Sequence, residues 1–437
     1  MYFPWRGKKV LIFGLGVLGG GVGVAKFFAE NGAKVTITDL KTKTELKSSL
    51  AKLKKYDIRY VLGEHYEEDF KTCNLVVKNP AIPSESPYLA IAKAAKIPVE
   101  MEASLFFKLS PSKNIIGVTG TKGKTTTTLL IYKILKQAKV KTVVAGTPKN
   151  SILEQLDKVT PSTFIVLELS SWQLESLKPA KISPHIAVLT NIFPDHLNRY
   201  RNFQDYISAK KIIFQFQAKD DFFITSADFK ITKKLAKEAK SQVVFFSKNL
   251  LPKTVLKHLR LSGEHNISNL AAAFQVANIL RIPQEIVTSA LATFKSIPNH
   301  LEIVRKFEGV TFINDTTATI PEAAIAAISS IANPIILLTG GADKNLNFAD
   351  FGKMINKKVK AVVLLEGTAT DKIEKEINKS KILGRFSDIK KAVKTTSETA
   401  QAGDVILLSP AAASFGMFKN EFDRGEQFKK VVGDLAN

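Results

Sequence analysis

Ile115-Ile116-Gly117-Val118-Thr119-Gly120-Thr121-Lys122-Gly123-Lys124-Thr125, continued by Thr126, Thr127 and Thr128, sets three patterns side by side. Ile115 to Val118 is an apolar run with the length of a buried strand. Leu129, Leu130, Ile134 and Leu135 then recur at helical spacing. The glycine-rich turn between them suits a phosphate group. Gly120, Thr121, Lys122 and Gly123 turn backbone N–H groups inward, and the helix N-terminus adds partial positive charge. Lys124 reaches the outer phosphates, and the Thr125 hydroxyl offers a ligand to Mg²⁺, with Thr126 beside it. A strict P-loop has glycine where Val118 stands, so the pattern is the shorter G-T-x-G-K-T. The unit reads as nucleotide-binding; a glycine turn without a ligand is the alternative.

Upstream, residues 1–110 alternate strand and helix patterns. Lys9 to Phe13 is a strand, followed by Gly14-Leu15-Gly16-Val17-Leu18-Gly19, a helix through Val24, Phe27 and Phe28, and the strand Val35 to Thr38. Asp39 closes that strand. Glycine loop and acid together match a dinucleotide fingerprint. A nicotinamide or flavin cofactor, a nucleotide-sugar diphosphate and a purely structural turn all fit it. Leu75 to Val77 is a further strand, ending in Lys78-Asn79-Pro80 at an edge where open α/β sheets bind ligands.

Downstream, Pro111-Ser112-Lys113-Asn114 is a linker into a second unit, residues 111–296. Val140 to Ala145, Phe164 to Leu169 and Ile186 to Leu189 read as strands with polar ends. Parallel strands alternating with helices bring those ends to one edge. Glu168, Asp195 and His196 therefore converge near the phosphate turn. A helix near 204–216 carries Lys210, and Leu270 to Ile279 reads as strongly amphipathic, with Asn266 and Asn269 on one face of its start. N-capping by these residues is the structural alternative. A third α/β unit, residues 297–437, has strands ending at Asn314-Asp315, Thr339-Gly340 and Ser409-Pro410.

The bulk properties narrow the class. A chain of 437 residues has room for two or three domains. Cys73 is the lone cysteine, so no intrachain disulfide forms, as in a reducing compartment. The N-terminus enters a strand pattern without a signal-like apolar segment, and no apolar run nears the ~20 residues that span a bilayer. A cytoplasmic protein with no membrane partner is expected. Lys and Arg number 63 against 40 Asp and Glu, a net charge of +23. The lysines are scattered over helix faces without interleaved aromatics, so no nucleic-acid partner is expected; a basic surface steers small anions instead.

Eight motifs in order resemble the Mur ligase family of ATP-dependent amide-forming enzymes: TGTKGKTTTT, LELSSWQLE (167–175), NIFPDHLNRY (191–200), the Ala209-Lys210-Lys211 helix, SGEHNISNLAAA (262–273), INDTTAT (313–319), TGGADK (339–344) and LLSPAAASFGMFKN (407–420). The resemblance covers nearly the whole chain. It implies a Rossmann-like UDP-binding domain, a central P-loop-type ATPase domain and a Rossmann-like amino-acid-binding domain. It implies UDP-N-acetylmuramoyl-L-alanine and D-glutamate as substrates, ATP and Mg²⁺ as cofactors, and a monomer. Gly14, Gly16, Asp39 and Asn79 then fall near the UDP moiety. Lys124 serves the phosphates and Thr125 a first Mg²⁺. Glu168 and His196 match positions serving a second, together with Lys210, a lysine carbamylated in this family. Asn266, Asn269, His300 and Asp315 fall near the rest of ATP. Thr319, Lys344, Ser414 and Phe418 belong with the substrates, the last three with the incoming amino acid.

Four positions depart from the family pattern. His300 replaces an Arg, and Thr317 stands where a Lys is usual. Thr147 replaces an Asn in the altered loop Ala145 to Asn150, and Leu18 replaces a Thr near the UDP site. An arginine is a permanent forked cation, whereas histidine is shorter and can be neutral at pH 7. These changes touch nucleotide, UDP and amino-acid contacts but spare the phosphate turn. Other amino acids such as L-glutamate, a folylpolyglutamate synthase-like acceptor, a partner-dependent binding subunit and an oxidoreductase remain the alternatives.

Overall fold

The computed structural model describes residues 5–17, 19–148, 150–196, 199–258, 263–294 and 297–435. The reading of Leu18 lies outside them. Three parallel-rich sheets follow one another along the chain. The first holds β1 (Lys9–Phe13), β2 (Lys34–Asp39), β3 (Ile58–Leu62), β4 (Leu75–Lys78) and β5 (Val99–Glu100), in the order β3-β2-β1-β4-β5. The second holds β6 (Ile115–Thr119), β7 (Thr142–Ala145), β8 (Phe164–Glu168), β9 (Ile186–Leu189), β10 (Phe222–Ser226) and β11 (Gln242–Phe246), in the order β11-β10-β9-β6-β8-β7. The third holds β12 (Glu302–Phe307), β13 (Val310–Asn314), β14 (Ile335–Gly340), β15 (Val359–Leu365), β16 (Ile382–Phe386) and β17 (Val405–Leu408), in the order β12-β13-β17-β14-β15-β16. Only β12 in that sheet pairs antiparallel, at its edge.

Composition explains the layering. Strands β6, β9, β14 and β17 are buried at every position, as strands covered by helices on both faces must be. Central β6 lies between β8 and β9, so the turns after these three strands open at one carboxyl edge. Strand β7 begins at Thr142 rather than Val140, because Val140 donates its N–H to Leu135 O and so finishes the preceding helix. The helix expected from Leu270 begins at Glu264. It is also less amphipathic than expected: Leu270, Ala271, Ala272 and Ala273 are all buried in succession.

The first two units share one apolar interior. Val22, Phe27 and Phe28 of the helix Gly20–Glu30 join Leu153, Leu156 and Val159 of the second unit in a single cluster. Glu102, at the start of the helix Glu102–Leu109, seals that seam. Its Oε1 accepts from Ser151 Oγ and from the backbone N–H groups of Ile152 (2.7 Å) and Leu153 (3.1 Å). These donors open the short helical turn Leu153–Lys158, so the carboxylate acts as a cap supplied from a distant helix. The third unit packs two apolar layers on the two faces of its own sheet.

Candidate active site

The carboxyl edges of all three sheets face one cavity of about 960 Å³. Its wall on the first unit is Gly14, Gly16, Asp39 and Asn79. Asp39 Oδ2 accepts from Gly16 N–H at 3.0 Å, which ties the ends of β1 and β2 together. The loop after β4 is held from the second unit: Arg199 donates to Ala81 O (3.1 Å) and Ile82 O (3.2 Å) while its guanidinium covers Trp172 at 5.0 Å.

The phosphate turn forms the middle. Gly123 has φ +82, and a Cβ there would sit 2.1 Å from Asn269 Oδ1. Gly120 lies beneath the cavity rather than on its wall; its carbonyl accepts from Lys210 Nζ at 2.8 Å. Thr125 Oγ1 donates to Glu168 Oε2 at 2.8 Å, and Lys124 Nζ rests on Thr121 O at 3.0 Å. Asn266 and Asn269 are buried inside their helix, not at its cap, and are hydrogen-bonded to each other at 3.3 Å. Asn191, just beyond β9, brackets Lys122: it accepts from Lys122 N–H (2.9 Å) and donates to Lys122 O (3.0 Å).

The third unit contributes Asp315, Thr319, Lys344 and Ser414 to the same cavity, along with His300. Lys344 Nζ crosses to Asp195 Oδ1 at 2.9 Å. Phe418 does not line the cavity. It is buried in an apolar layer with Phe428 and Val432, while Phe415, 63% exposed, faces the cavity three residues away in the same family motif. The turn after Ser414 directs one ring inward and the other outward, which composition alone does not distinguish.

Burial sets the charge states. Lys210 is fully enclosed, and burial, reinforced by Lys124, holds its pKa well below the usual lysine value against the pull of Asp195. Burial raises Glu168, with Lys124 and the Thr125 hydroxyl opposing. Burial would also raise Asp195, but the ammonium groups of Lys344 and Lys122, with His196, overcome it and hold the carboxyl below its ordinary range. His196 is pulled down to about 3 by burial, against Asp195. Its backbone is left-handed (φ 56) and its ring lies 5.0 Å from that of Trp172. Burial lowers His300 to about 4, with Pro298 O opposing. His300 is therefore neutral near pH 7 and does not replace the charge of an arginine. Asp315 is raised to about 7 by burial, against hydrogen bonds from Ser409 and Leu301 N–H.

Thr125 and Glu168 offer two adjacent oxygens, a fit for Mg²⁺ whose other ligands are phosphate and water. Among the described residues no group of three or more His, Cys, Asp or Glu is arranged to hold a metal ion. Lys210, as an unmodified amine that donates to Gly120 O, adds no oxygen ligand beside Glu168 and His196.

Sequence reasoning also missed Arg424, the largest fully buried side chain among the described residues. It donates to Thr316 Oγ1 (3.0 Å), Thr316 O (2.9 Å) and Ala412 O (3.3 Å), clasping the loops that carry Thr319 and Ser414. Only its place four residues beyond the last motif hints at the role.

Three α/β units meet around one cation-rich cavity with a phosphate turn at its centre, the layout of a three-domain protein built to hold a nucleotide. Residues 8–100 match the Mur ligase MurD-like N-terminal domain, 118–277 the Mur ligase middle domain and 301–412 the Mur ligase glutamate ligase domain. The chain belongs to the Mur ligase family. It is 43% identical to a UDP-N-acetylmuramoylalanine–D-glutamate ligase of Roseiflexus sp. (strain RS-1), covering 98% of each chain. It is 39% identical to the ligase of the same name from Borreliella afzelii, covering 99% of each. Among solved structures it resembles the UDP-N-acetylmuramate-alanine ligase of Thermotoga maritima (TM-score 0.66, 20% identity, 98% of this chain and 99% of that one). It also resembles the MurF ligase of the same organism in complex with ADP (TM-score 0.61, 17% identity, 99% of this chain and 97% of that one). These two likenesses establish the shared fold.

Proposed function

We propose that the chain joins D-glutamate to UDP-N-acetylmuramoyl-L-alanine with cleavage of ATP, in the cytoplasmic synthesis of a peptidoglycan precursor. The observation that carries this reading is the single cavity on which Asp39 and Asn79, Lys124 and Glu168, and Lys344 and Ser414 converge from three domains. Full-length identity to ligases of that name supports the choice of substrates. Among the described residues no helix is long and apolar enough to cross a membrane.

The chemistry follows from charge. A free carboxylate is a poor electrophile. The acceptor carboxylate oxygen attacks the γ-phosphorus of ATP, ADP leaves, and an acyl phosphate forms. The amine of glutamate then attacks the acyl carbon, loses a proton, and expels phosphate to leave the amide. Lys124 and the N–H groups of the phosphate turn stabilise charge on the transferring phosphoryl group. Thr125 and Glu168 would hold one Mg²⁺, and Glu168, His196 and a carbamylated Lys210 a second; bound there, the ions neutralise phosphate oxygens. The lowered pKa of Lys210 leaves the free amine that carbamylation by CO₂ requires. Asn266, Asn269, His300 and Asp315 position the remainder of the nucleotide, Gly14, Gly16, Asp39 and Asn79 the UDP group, and Lys344 and Ser414 the amino acid. Closure of the three domains excludes water from the acyl phosphate.

The test is phosphate release from ATP with Mg²⁺ and UDP-N-acetylmuramoyl-L-alanine, run with D-glutamate, with L-glutamate and with neither. Release confined to D-glutamate is expected. Release with L-glutamate alone would move the specificity, with Thr317 the first position to examine. No release in any arm would refute the acceptor.

A further inference from the structure

Lys122 belongs by its backbone to the phosphate turn, but its side chain leaves the central domain. Its Nζ lies 3.2 Å from Thr319 Oγ1 and 3.5 Å from Thr317 O, both on the third-domain loop after β13. Lys344 Nζ donates to the same Thr319 hydroxyl, also at 3.2 Å. Two ammonium groups thus share one oxygen. A threonine oxygen that accepts twice has its own O–H left to donate. Around this hydroxyl sit two cations, and Asp195 pairs directly with only one of them, Lys344. Among the described residues no carboxylate oxygen lies within ion-pairing distance of Lys122. Burial, partly offset by Asp195, brings the Lys122 ammonium down to about 8, as befits a cation enclosed without a direct counter-ion.

The charge imbalance falls where this chain lacks a cation of the family pattern. Thr317 stands at the position of a usual lysine, and its hydroxyl is turned away onto Asn299 O at 2.9 Å. We infer that Lys122 determines specificity for the incoming amino acid: its ammonium, with that of Lys344 and the Thr319 hydroxyl, binds a carboxylate of glutamate, filling from the phosphate turn the role left open at Thr317. This rests on the function proposed above. A carboxylate is favoured over the γ-phosphate because Lys124 and Thr125 stay on the turn, against Thr121 O and Glu168, whereas Lys122 lies on the third domain.

The test compares the full-length wild type with Lys122→Ala, Lys122→Asn and the double variant Lys122→Ala/Thr317→Lys, measuring ADP release against each substrate. Both single variants are expected to raise KM for D-glutamate roughly 10- to 100-fold, the range for losing a hydrogen bond to a charged group, with a far smaller change in KM for ATP. Restoring an ammonium at 317 is expected to recover most of that loss. A rise in KM for ATP with an unchanged KM for D-glutamate would overturn the assignment, as would a double variant no better than Lys122→Ala. The asparagine variant keeps a polar side chain, so the reading survives a folding failure of the alanine one. A wild type that turns over with neither glutamate would refute the proposed function itself; a wild type that turns over while its Lys122 variants change only KM for ATP refutes this inference alone.

Discussion

Gly123 shows how one missing atom builds a site. Its φ of +82 and the 2.1 Å that would separate an added Cβ from Asn269 Oδ1 leave no room for a side chain. Gly123→Ala is therefore expected to push the phosphate turn off its helix and lower ADP release by about 100-fold or more, the scale seen when reacting groups are misplaced by an ångström. Circular dichroism separates this from unfolding, since the rest of the sheet is untouched. Near-normal turnover would show that the turn does not hold ATP. This part of the site is legible in the sequence because its geometry is local: glycines, a lysine and a threonine in fixed succession. Asn266 and Asn269 are legible for the same reason, being one helical turn apart. Phe418 is not, because which of two nearby rings faces the cavity depends on how the whole loop seats on β17. The long-range partnership of Lys122 with Thr319, nearly two hundred residues away, leaves no local trace either.

At the scale of elements, Glu102 binds a helix of one unit to the helical turn of another. Burial raises its carboxyl to about 7, against the hydrogen bonds from Ser151, Leu153 and Ile152. A raised folded-state value means that the native chain holds this proton more tightly than the unfolded chain does. The resulting stability is present below about 4.5 and is lost as pH rises toward 7. Glu102→Gln removes this titration. Its melting temperature is expected to vary less than that of the wild type between about pH 5 and pH 7, where the wild type loses a few degrees through this group. Parallel curves would show that Glu102 does not titrate in that window. Most strands of the sheet interiors are readable from apolar runs such as Ile186 to Leu189; β10, whose run ends in Thr225 and Ser226, is not among those read. Strands β3 and β16 were not, since Arg59 and Tyr60 in one, and Gly384 and Arg385 in the other, break the apolar pattern at edges where water covers one side.

At the scale of the molecule the two seams differ in kind. The first and second units share an extended apolar cluster, whereas the third meets the second through the polar links Lys344 to Asp195 and Lys122 to Thr319, with Phe193 adding a smaller apolar contact. Apolar seams hold in any salt; ionic ones weaken when screened or neutralised. Asp195→Asn is thus expected to let the third domain swing outward, increasing the radius of gyration in small-angle scattering while the first two units stay together. An unchanged scattering curve would show that the Lys344 pair is not a latch. The three-unit order was legible from motif succession, but nothing in the sequence marked one seam as oily and the other as ionic.

The shared Thr319 hydroxyl has one more consequence. Half of its cation pair rides on the phosphate turn and half on the third domain, so neither half alone makes the pocket. The junction behaves as a coincidence detector. Under the role proposed for Lys122, it registers glutamate only once the two domains have met, and free glutamate, however abundant in its surroundings, has nowhere to queue before then.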